Sequence, residues 1–471
     1  MERFIGRKHE MELLNRLLQR VAEGGRTGRP GRAILIRGRR RVGKSRLVEE
    51  FIDRSGVPSL FFTASGQPTV AADLALFTEA VSESTLPDTG LFRNQAPATW
   101  DAALRLLARS LPDAQPSVVV IDEMPYLLRA DPGFEGTLQK IFDRELSRKR
   151  VLLVCVGSHL AMMEALNSYG RPFHQRATEL VVPPLSPADA AEMLSLPAAE
   201  AFDAYLVSGG LPLILDEWPP GVSALDYVTD AVNDPLSALL VSGERALAAE
   251  FPPDSQPRLV LGAVGSGERT YSGIQRGAGG MAPATLNRAL RLLTAKRIVL
   301  ASTPLSIRRS RETRYWVADP HLRFWLSFLG PHLPEIERRR GDIVAARIRA
   351  SWTAWRGTAV EPVIRDSLSR MSERLPGQPG VIGGYWTRTN NPEVDLIGAD
   401  KGPVAQRIAF AGSIEWRDSH PFDERDLASL IAHRSQVPGA GEDTPLVAVA
   451  RSGVSVSSPL ALGPDDLLAA W

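Results

Sequence analysis

The chain has a single cysteine, Cys155, among 471 residues. One thiol excludes an internal disulfide and every cysteine-based zinc spacing, and it suits a reducing cytosol. Long apolar runs are missing too, and none reaches the ~20 residues that cross a bilayer. The opening does not read as a secretory signal, because Met1 leads into a charged amphipathic segment. These features point to a cytoplasmic protein with no membrane partner. Excess charge of one sign is also lacking: 55 Lys and Arg stand against 54 Asp and Glu, a net charge of +1. No global field favours nucleic acid, so any such binding has to come from a local patch. There is no internal repeat and no long low-complexity tract. With 44% hydrophobic and 23% charged residues, the composition is that of a folded soluble protein too long for one core.

Against these absences stands one dense segment. Ala33 to Ile36 is an apolar strand, and Gly38-Arg39-Arg40-Arg41-Val42-Gly43-Lys44-Ser45 follows it, with Arg46 next. A helical pattern (Leu47, Val48, Phe51, Ile52) runs out of it. The glycines Gly38 and Gly43 let the backbone curl until successive N–H groups face one phosphate chain, and the helix adds its positive end. Lys44 is placed to reach the β- and γ-phosphates, and the Ser45 hydroxyl to ligate Mg²⁺. About 80 residues on, the apolar strand Ser117 to Ile121 ends in Asp122-Glu123. Asp122 is placed to hold Mg²⁺ and Glu123 to polarise an attacking water. A third strand, Val151 to Val156, ends in Gly157-Ser158, where a polar side chain can sense the γ-phosphate. Together these predict an ATPase of the additional-glutamate type.

The remaining pattern predicts the organisation. Strands are expected at 60–63 and 179–182, a helix at 100–111, and loop 24–31 before the first strand of the sheet. Alternating strands and helices argue for an α/β fold, a parallel sheet with helices on both faces, ending near Pro183-Pro184. A helical stretch starts at the Ser186-Pro187 cap. Helices near 259–264 and 283–294, then an alternating stretch 298–317, have the order of a winged helix-turn-helix. In 319–329, Leu322, Trp325, Leu326 and Leu329 share one core-facing stripe. Charge-rich residues 336–350 read as a solvated connector. A helix at 357–371, short strands and a helix at 422–433 complete the chain. The expected domains are 1–184, 185–252 (a helical lid), 253–330 (winged helix) and 331–471.

With these segments placed, the chain resembles the bacterial and archaeal ATPases of the STAND branch, relatives of AAA-type ATPases. The closest type carries a winged helix and a C-terminal α/β domain of restriction-nuclease-like fold. Phe4-Ile5-Gly6-Arg7 with Glu10 resembles the family's adenine-side motif, which places Gly6 and Arg7 at the nucleotide. Gly157-Ser158 with Met162-Met163-Glu164 resembles its sensor. Arg171-Pro172-Phe173 to Arg176-Ala177-Thr178 resembles a segment offering an arginine, here Arg176, to the phosphates in cis or across a subunit contact. Gly209-Gly210-Leu211-Pro212 resembles a lid motif whose proline, Pro212, packs near the base. Asp319-Pro320-His321-Leu322-Arg323-Phe324-Trp325 resembles the junction after the winged helix. The resemblance implies an ATP- and Mg²⁺-dependent switch that self-associates or acts on a protein partner.

The C-terminal domain departs from the nuclease pattern of a helix Glu, then an Asp, then Glu-x-Lys. Glu361 and Asp395 (in Glu393-Val394-Asp395) suit the first two positions, but Ser413 stands for the Glu and Glu415 for the Lys. A ligand is lost and a cation becomes an anion, which favours an interaction domain with Trp386 and Trp416 packed. In the winged helix, Asn287, Arg288 and Arg291 can face DNA while Arg308, Arg309, Arg311 and Arg314 touch phosphates. The alternative is an intramolecular lid. Three functions are thus carried forward: a switch ATPase, an ATP-tuned DNA-binding regulator and an ATP-dependent nuclease.

Overall fold

The structure is a computed structural model that describes residues 4–24, 28–66, 69–166, 168–171 and 173–471. Met1, part of the 24–31 loop and Pro172 lie outside the described residues. The chain divides into two compact units, one ending at Pro184 and the other spanning Leu185–Trp471.

The first unit is built on five strands: β1 (Arg32–Arg37), β2 (Ser59–Thr63), β3 (Ser117–Asp122), β4 (Val151–Gly157) and β5 (Ala177–Val181). They pair in the order β2-β3-β4-β1-β5, all parallel. Every residue of β3 and β4 is buried, the mark of a sheet covered on both faces. On one face Leu35, Phe62, Ile121 and Leu153 pack with Phe77, Trp100 and Phe134. The Trp100 and Phe134 rings meet edge to face at 5.0 Å. The alternate residues Ile34, Ile36, Val120 and Val154 belong to the other face and are equally buried. There the helix Lys8–Ala22, with Leu14, Leu17 and Val21 inward, packs on β4. Cys155 lies in β4, and burial pushes its thiol pKa up to about 12.

The second unit opens with the helix Pro187–Leu194, whose Ser186 and Asp189 cap each other reciprocally. Helices Gln256–Gly265, Tyr271–Gly277 and Pro283–Ala295 lead into the antiparallel pair β6 (Val299–Ser302) and β7 (Arg314–Val317). This is the element order expected over 259–317, with shorter strands. A mixed sheet follows: β8 (Val381–Trp386), β9 (Glu393–Ala399), β10 (Ile408–Glu415), β11 (Leu446–Ala450) and β12 (Leu460–Leu462). The β6–β7 loop is short of strand because it is used elsewhere: Leu305 N–H donates to Gly384 O of β8 at 2.9 Å, and Ser306 bridges to Val404.

One expectation is corrected. Residues 336–350 are not a connector; most of them belong to the helix Gly341–Ala359. Its charged residues Arg347 and Arg349 are exposed, but Val344, Ile348 and Trp352 recur at helical spacing and are buried. The expected helix at 357–371 begins at Glu361, after a break at Val360.

The borders expected at 252/253 and 330/331 are crossed by shared cores. One core runs from Leu185 through Val260 and Leu293 to Trp352. Phe202 and Leu206, on the helix Ala198–Ser208, join Ile364, Phe410 and Val447 of the C-terminal part in another. An ionic network, buried except at Asp418, reinforces that contact. Arg356, only 2% exposed, donates to Asp203 at 3.0 Å and pairs with Asp418 at 2.8 Å. Arg451 pairs with the same two carboxylates at 3.0 and 2.9 Å. Burial pushes the Asp203 carboxyl up, and Arg451 and Arg356 pull it back. Asp203→Ala leaves two buried guanidiniums with one carboxylate and is expected to cost about 3 kcal/mol. The check is the urea midpoint for melting of the second unit; an unchanged midpoint would mean that the network does not hold this contact.

Candidate active site

Gly38 to Gly43 connect β1 to the helix Lys44–Ser55. Arg41 and Gly43 have positive φ, 66° and 83°, so the loop turns left-handed at alternate residues. Gly43 caps the helix in that conformation, which suits a residue without Cβ. The result is a backbone concavity at a helix N-terminus, a ready site for an anion. Val42 is buried, whereas Arg41 and Arg46 are exposed, with Arg46 near Glu50 at 3.7 Å.

Lys44 is buried, and its ammonium donates to the carbonyls of Gly38 and Arg39 at 3.1 and 2.9 Å. Burial lowers its pKa, and Glu123 and Asp122 oppose that shift. Ser45 Oγ donates to Asp122 Oδ2 at 2.8 Å, joining residues 77 apart in sequence. Asp122 is buried at the end of β3, and its other oxygen accepts the Glu123 N–H at 2.8 Å. Burial raises the Asp122 pKa, while the Ser45 hydroxyl stabilises the charged form.

Glu123 sits at φ 51°, a left-handed position that a non-glycine residue rarely adopts. Its carboxylate accepts from Ser158 Oγ at 2.9 and 3.0 Å. β4 lies between β1 and β3, so Ser158 leaves the sheet between the phosphate loop and the Asp122-Glu123 pair. A Cβ on Gly157 would lie 2.6 Å from Met163 Sδ and 2.8 Å from Pro125, so only glycine fits there. The structure thus brings together Gly38, Gly43, Lys44, Ser45, Asp122, Glu123 and Ser158 at the carboxyl edge of one sheet.

Gly6 and Arg7 also have positive φ, 76° and 61°. The buried Arg7 guanidinium donates to Val42 O at 2.7 Å and lies 3.5 Å from Glu10. It therefore braces the loop. Pro212 is the first residue of the helix Pro212–Glu217 in the second unit, after Gly209 and Gly210, both left-handed.

Arg176 is a correction. It immediately precedes β5, where Ala177 pairs with Ala33 at the amino end of β1, and its guanidinium contacts Asp143 at 2.9 Å. In a parallel sheet that end is opposite the phosphate loop, so the structure does not support a cis role. Arg171 of the same segment pairs with the buried Glu135 at 2.5 Å. Arg37 was not singled out by the sequence. It ties the end of β1 to Glu179 at 2.5 Å and to Glu164 at 2.9 Å, and only its place at the strand terminus could have marked it.

The nuclease-like positions are engaged with one another. Asp395 accepts from Ser413 Oγ at 3.2 Å and Ile414 N–H at 3.0 Å, and Glu415 lies 3.3 Å from Arg417. Glu361 is held by Arg365 at 2.9 Å, and Arg365 also donates to the Asp395 carbonyl. Burial raises the pKa of Glu361, Asp395 and Glu415. Among the described residues no group of three or more His, Cys, Asp or Glu could hold a metal ion. Trp386 and Trp416 are buried. Asn287, Arg288, Arg291, Arg308, Arg309 and Arg311 are exposed. Arg314 is another correction: it is buried, pairs with Glu393 at 2.5 Å and cannot serve as a free phosphate contact.

A family described as archaea bacterial proteins of unknown function, DUF234, matches residues 325–426. The chain is similar to an uncharacterized protein of Methanocaldococcus jannaschii, 23% identical over 444 residues that cover 93% of this chain and 92% of that protein. Among solved structures it is similar to a Walker-type ATPase of Pyrococcus abyssi, with 18% identity and a TM-score of 0.49, covering 69% of this chain and 96% of that one. It is also similar to the ORC2 protein of Aeropyrum pernix in ADPNP–ADP complexes, with 17% identity, a TM-score of 0.45 and coverage of 74% and 98%.

Lys44→Ala is expected to weaken ATP binding at least about tenfold, roughly 1.4 kcal/mol, by removing a charge-assisted phosphate contact. Calorimetry on the folded variant checks this, and unchanged affinity would remove the phosphate-loop assignment.

Proposed function

We propose that the chain binds and hydrolyses ATP as a Mg²⁺-dependent switch of the STAND or AAA type, passing its nucleotide state to a partner through the second unit. The observation that carries this reading is the contact between Ser45 and Asp122, 2.8 Å long, with Glu123 and Ser158 beside it. The loop N–H groups and Lys44 bind and orient the phosphate chain. Ser45 and Asp122 offer hard oxygen donors, and with so few protein ligands they suit Mg²⁺, which keeps phosphate oxygens and waters as its other partners. When bound, the ion neutralises phosphate charge. Glu123 accepts a proton from the attacking water, and Ser158 fixes the orientation of its carboxylate. Arg7 keeps the loop in shape through Val42. Arg176 enters this scheme only across a subunit contact, where a second copy could supply it.

The second reading is an ATP-tuned DNA-binding regulator. It rests on the exposed Asn287, Arg288 and Arg291 of the helix Pro283–Ala295 and on exposed Arg308, Arg309 and Arg311. The attachment of the 305–307 loop to the C-terminal sheet counts against it, because a wing tied down in this way is less free to follow a DNA backbone.

Glu123→Gln is expected to keep ATP binding and drop hydrolysis on the order of a hundredfold. A single-turnover rate near wild type would exclude Glu123 as the base. The C-terminal domain is expected to give no Mg²⁺- or Mn²⁺-dependent cleavage of DNA or RNA, with or without ATP. Asp395 already accepts bonds from Ser413 and Ile414, and Glu415 adds negative charge where a cation would help. Cleavage of plasmid or single-stranded substrate that disappears in Asp395→Ala would establish the nuclease reading instead.

A further inference from the structure

Within the Leu185–Trp471 unit lies a cleft of about 750 Å³, between the turn 264–270, β7 and the helix Gly341–Ala359, with Asn390 and Glu393 also lining it. That is the size of a small-molecule site. Nothing in the ATPase reading uses it.

Three guanidiniums, those of Arg269, Arg314 and Arg323, line this cleft. Arg314 is neutralised by Glu393 and also donates to Asn390 Oδ1 at 2.8 Å. Arg323 donates to the carbonyls of Val317 and Ala359, each at 2.7 Å in the closest contact, and no carboxylate lies within ion-pair distance of it among the described residues. Arg269 has neither kind of partner. Among the described residues its half-buried guanidinium makes no hydrogen bond and no ion pair, and it lies over the Trp316 ring at 4.0 Å.

The electrostatics agree with this geometry. Burial holds Arg269 below its usual pKa, with Glu361 opposing the shift and Arg314 adding to it. Burial, with Arg269 nearby, brings Arg323 down to about 10, against the opposing pull of Glu361 and Asp319. Glu361 also lines the cleft, but its carboxylate is already held by Arg365 at 2.9 Å. Glu268 is the remaining carboxylate of the lining, and it forms no ion pair with the arginines. Two cationic groups therefore face the cavity without a carboxylate in contact.

A guanidinium stacked on an indole keeps its N–H edge free, and that edge is what grips an oxyanion in bidentate fashion. A phosphate monoester carries about −1.5 to −2 charge at pH 7, which suits two guanidiniums that have no carboxylate in direct contact better than a single carboxylate does. Trp316 and Tyr315 offer aromatic surface, and Ser351, Ala354 and Thr358 form a wall of short side chains that leaves room for an organic group. We propose that this cleft binds a phosphate monoester of roughly nucleotide size, with the phosphate on the N–H edge of Arg269.

The proposal is independent of the phosphate loop, so it is tested with that loop disabled. AMP, inorganic phosphate and succinate are titrated calorimetrically into the full-length Lys44→Ala chain. AMP or phosphate is expected to bind, and binding is expected to weaken at least about tenfold when Arg269→Gln is added. Arg425→Gln, at an exposed site outside the cleft, leaves it unchanged. Thr358→Trp, which fills the cleft from the helix wall and keeps Arg269, abolishes it. Melting temperatures without ligand verify that each variant is folded. The proposal is overturned if neither AMP nor phosphate binds, or if a folded Arg269→Gln chain binds as before. Tighter binding of succinate would overturn the phosphate class. A 5′-phosphorylated oligonucleotide that binds where AMP and phosphate do not would overturn the small-molecule assignment.

Discussion

The first unit depends on the pairing of β1 on both of its edges. Ala33 to Ile36 at its centre are buried, so their N–H and C=O groups must be satisfied by β4 on one side and β5 on the other. Because all the pairs are parallel, the strands finish on the same edge of the sheet. The loop after β1, the acidic pair after β3 and the serine after β4 therefore emerge together. Residues scattered over more than a hundred positions become neighbours because the parallel pairing, its register held by buried side chains on both faces, ends the strands together.

A different constraint shapes the second unit. Asp203 and Arg356 are buried and Arg451 nearly so, and with the exposed Asp418 they form one ionic network. A pair of charges there would gain little over a well-packed apolar group, but losing one member strands the rest. The network therefore acts more on specificity than on net stability. It fixes how the helix Ala198–Ser208 meets the end of β10, and Phe202 on Trp416, with ring centres at 5.5 Å, extends the same contact. The helix and the C-terminal sheet behave as one body.

The gathering of these residues at the sheet edge was legible because each part has a local signature. A glycine loop lies between strand and helix, an acidic pair follows an apolar strand, and Gly-Ser closes another. What escaped was information about direction. Arg176 sits in a motif-like segment, yet only strand pairing shows that it stands at the amino end of the sheet. Arg314 looks like its neighbours Arg308, Arg309 and Arg311 until Glu393, far along the chain, is seen to meet it. The helix Gly341–Ala359 was hidden because charge in its first half masked the stripe Val344, Ile348 and Trp352. Arg269 had no pattern to announce it, since its interest lies in the partner it lacks. Shared cores span the borders expected inside the second unit for a related reason: helices distant in sequence pack together, and composition does not record that.

The attachment of the 305–307 loop to β8 has a consequence beyond architecture. β8 pairs with β9 on one side only, so its other edge presents backbone groups that could recruit a strand from another chain. The Leu305–Gly384 bond places a stretch of the chain's own backbone against that edge. At the opposite end of the sheet, β12 is three residues long, too short to template much. The helical and hairpin segment thus doubles as an edge guard, keeping the C-terminal sheet from polymerising. A fragment that begins after the hairpin would carry an uncovered strand and a tendency to aggregate, and the two parts are best regarded as having to be made together.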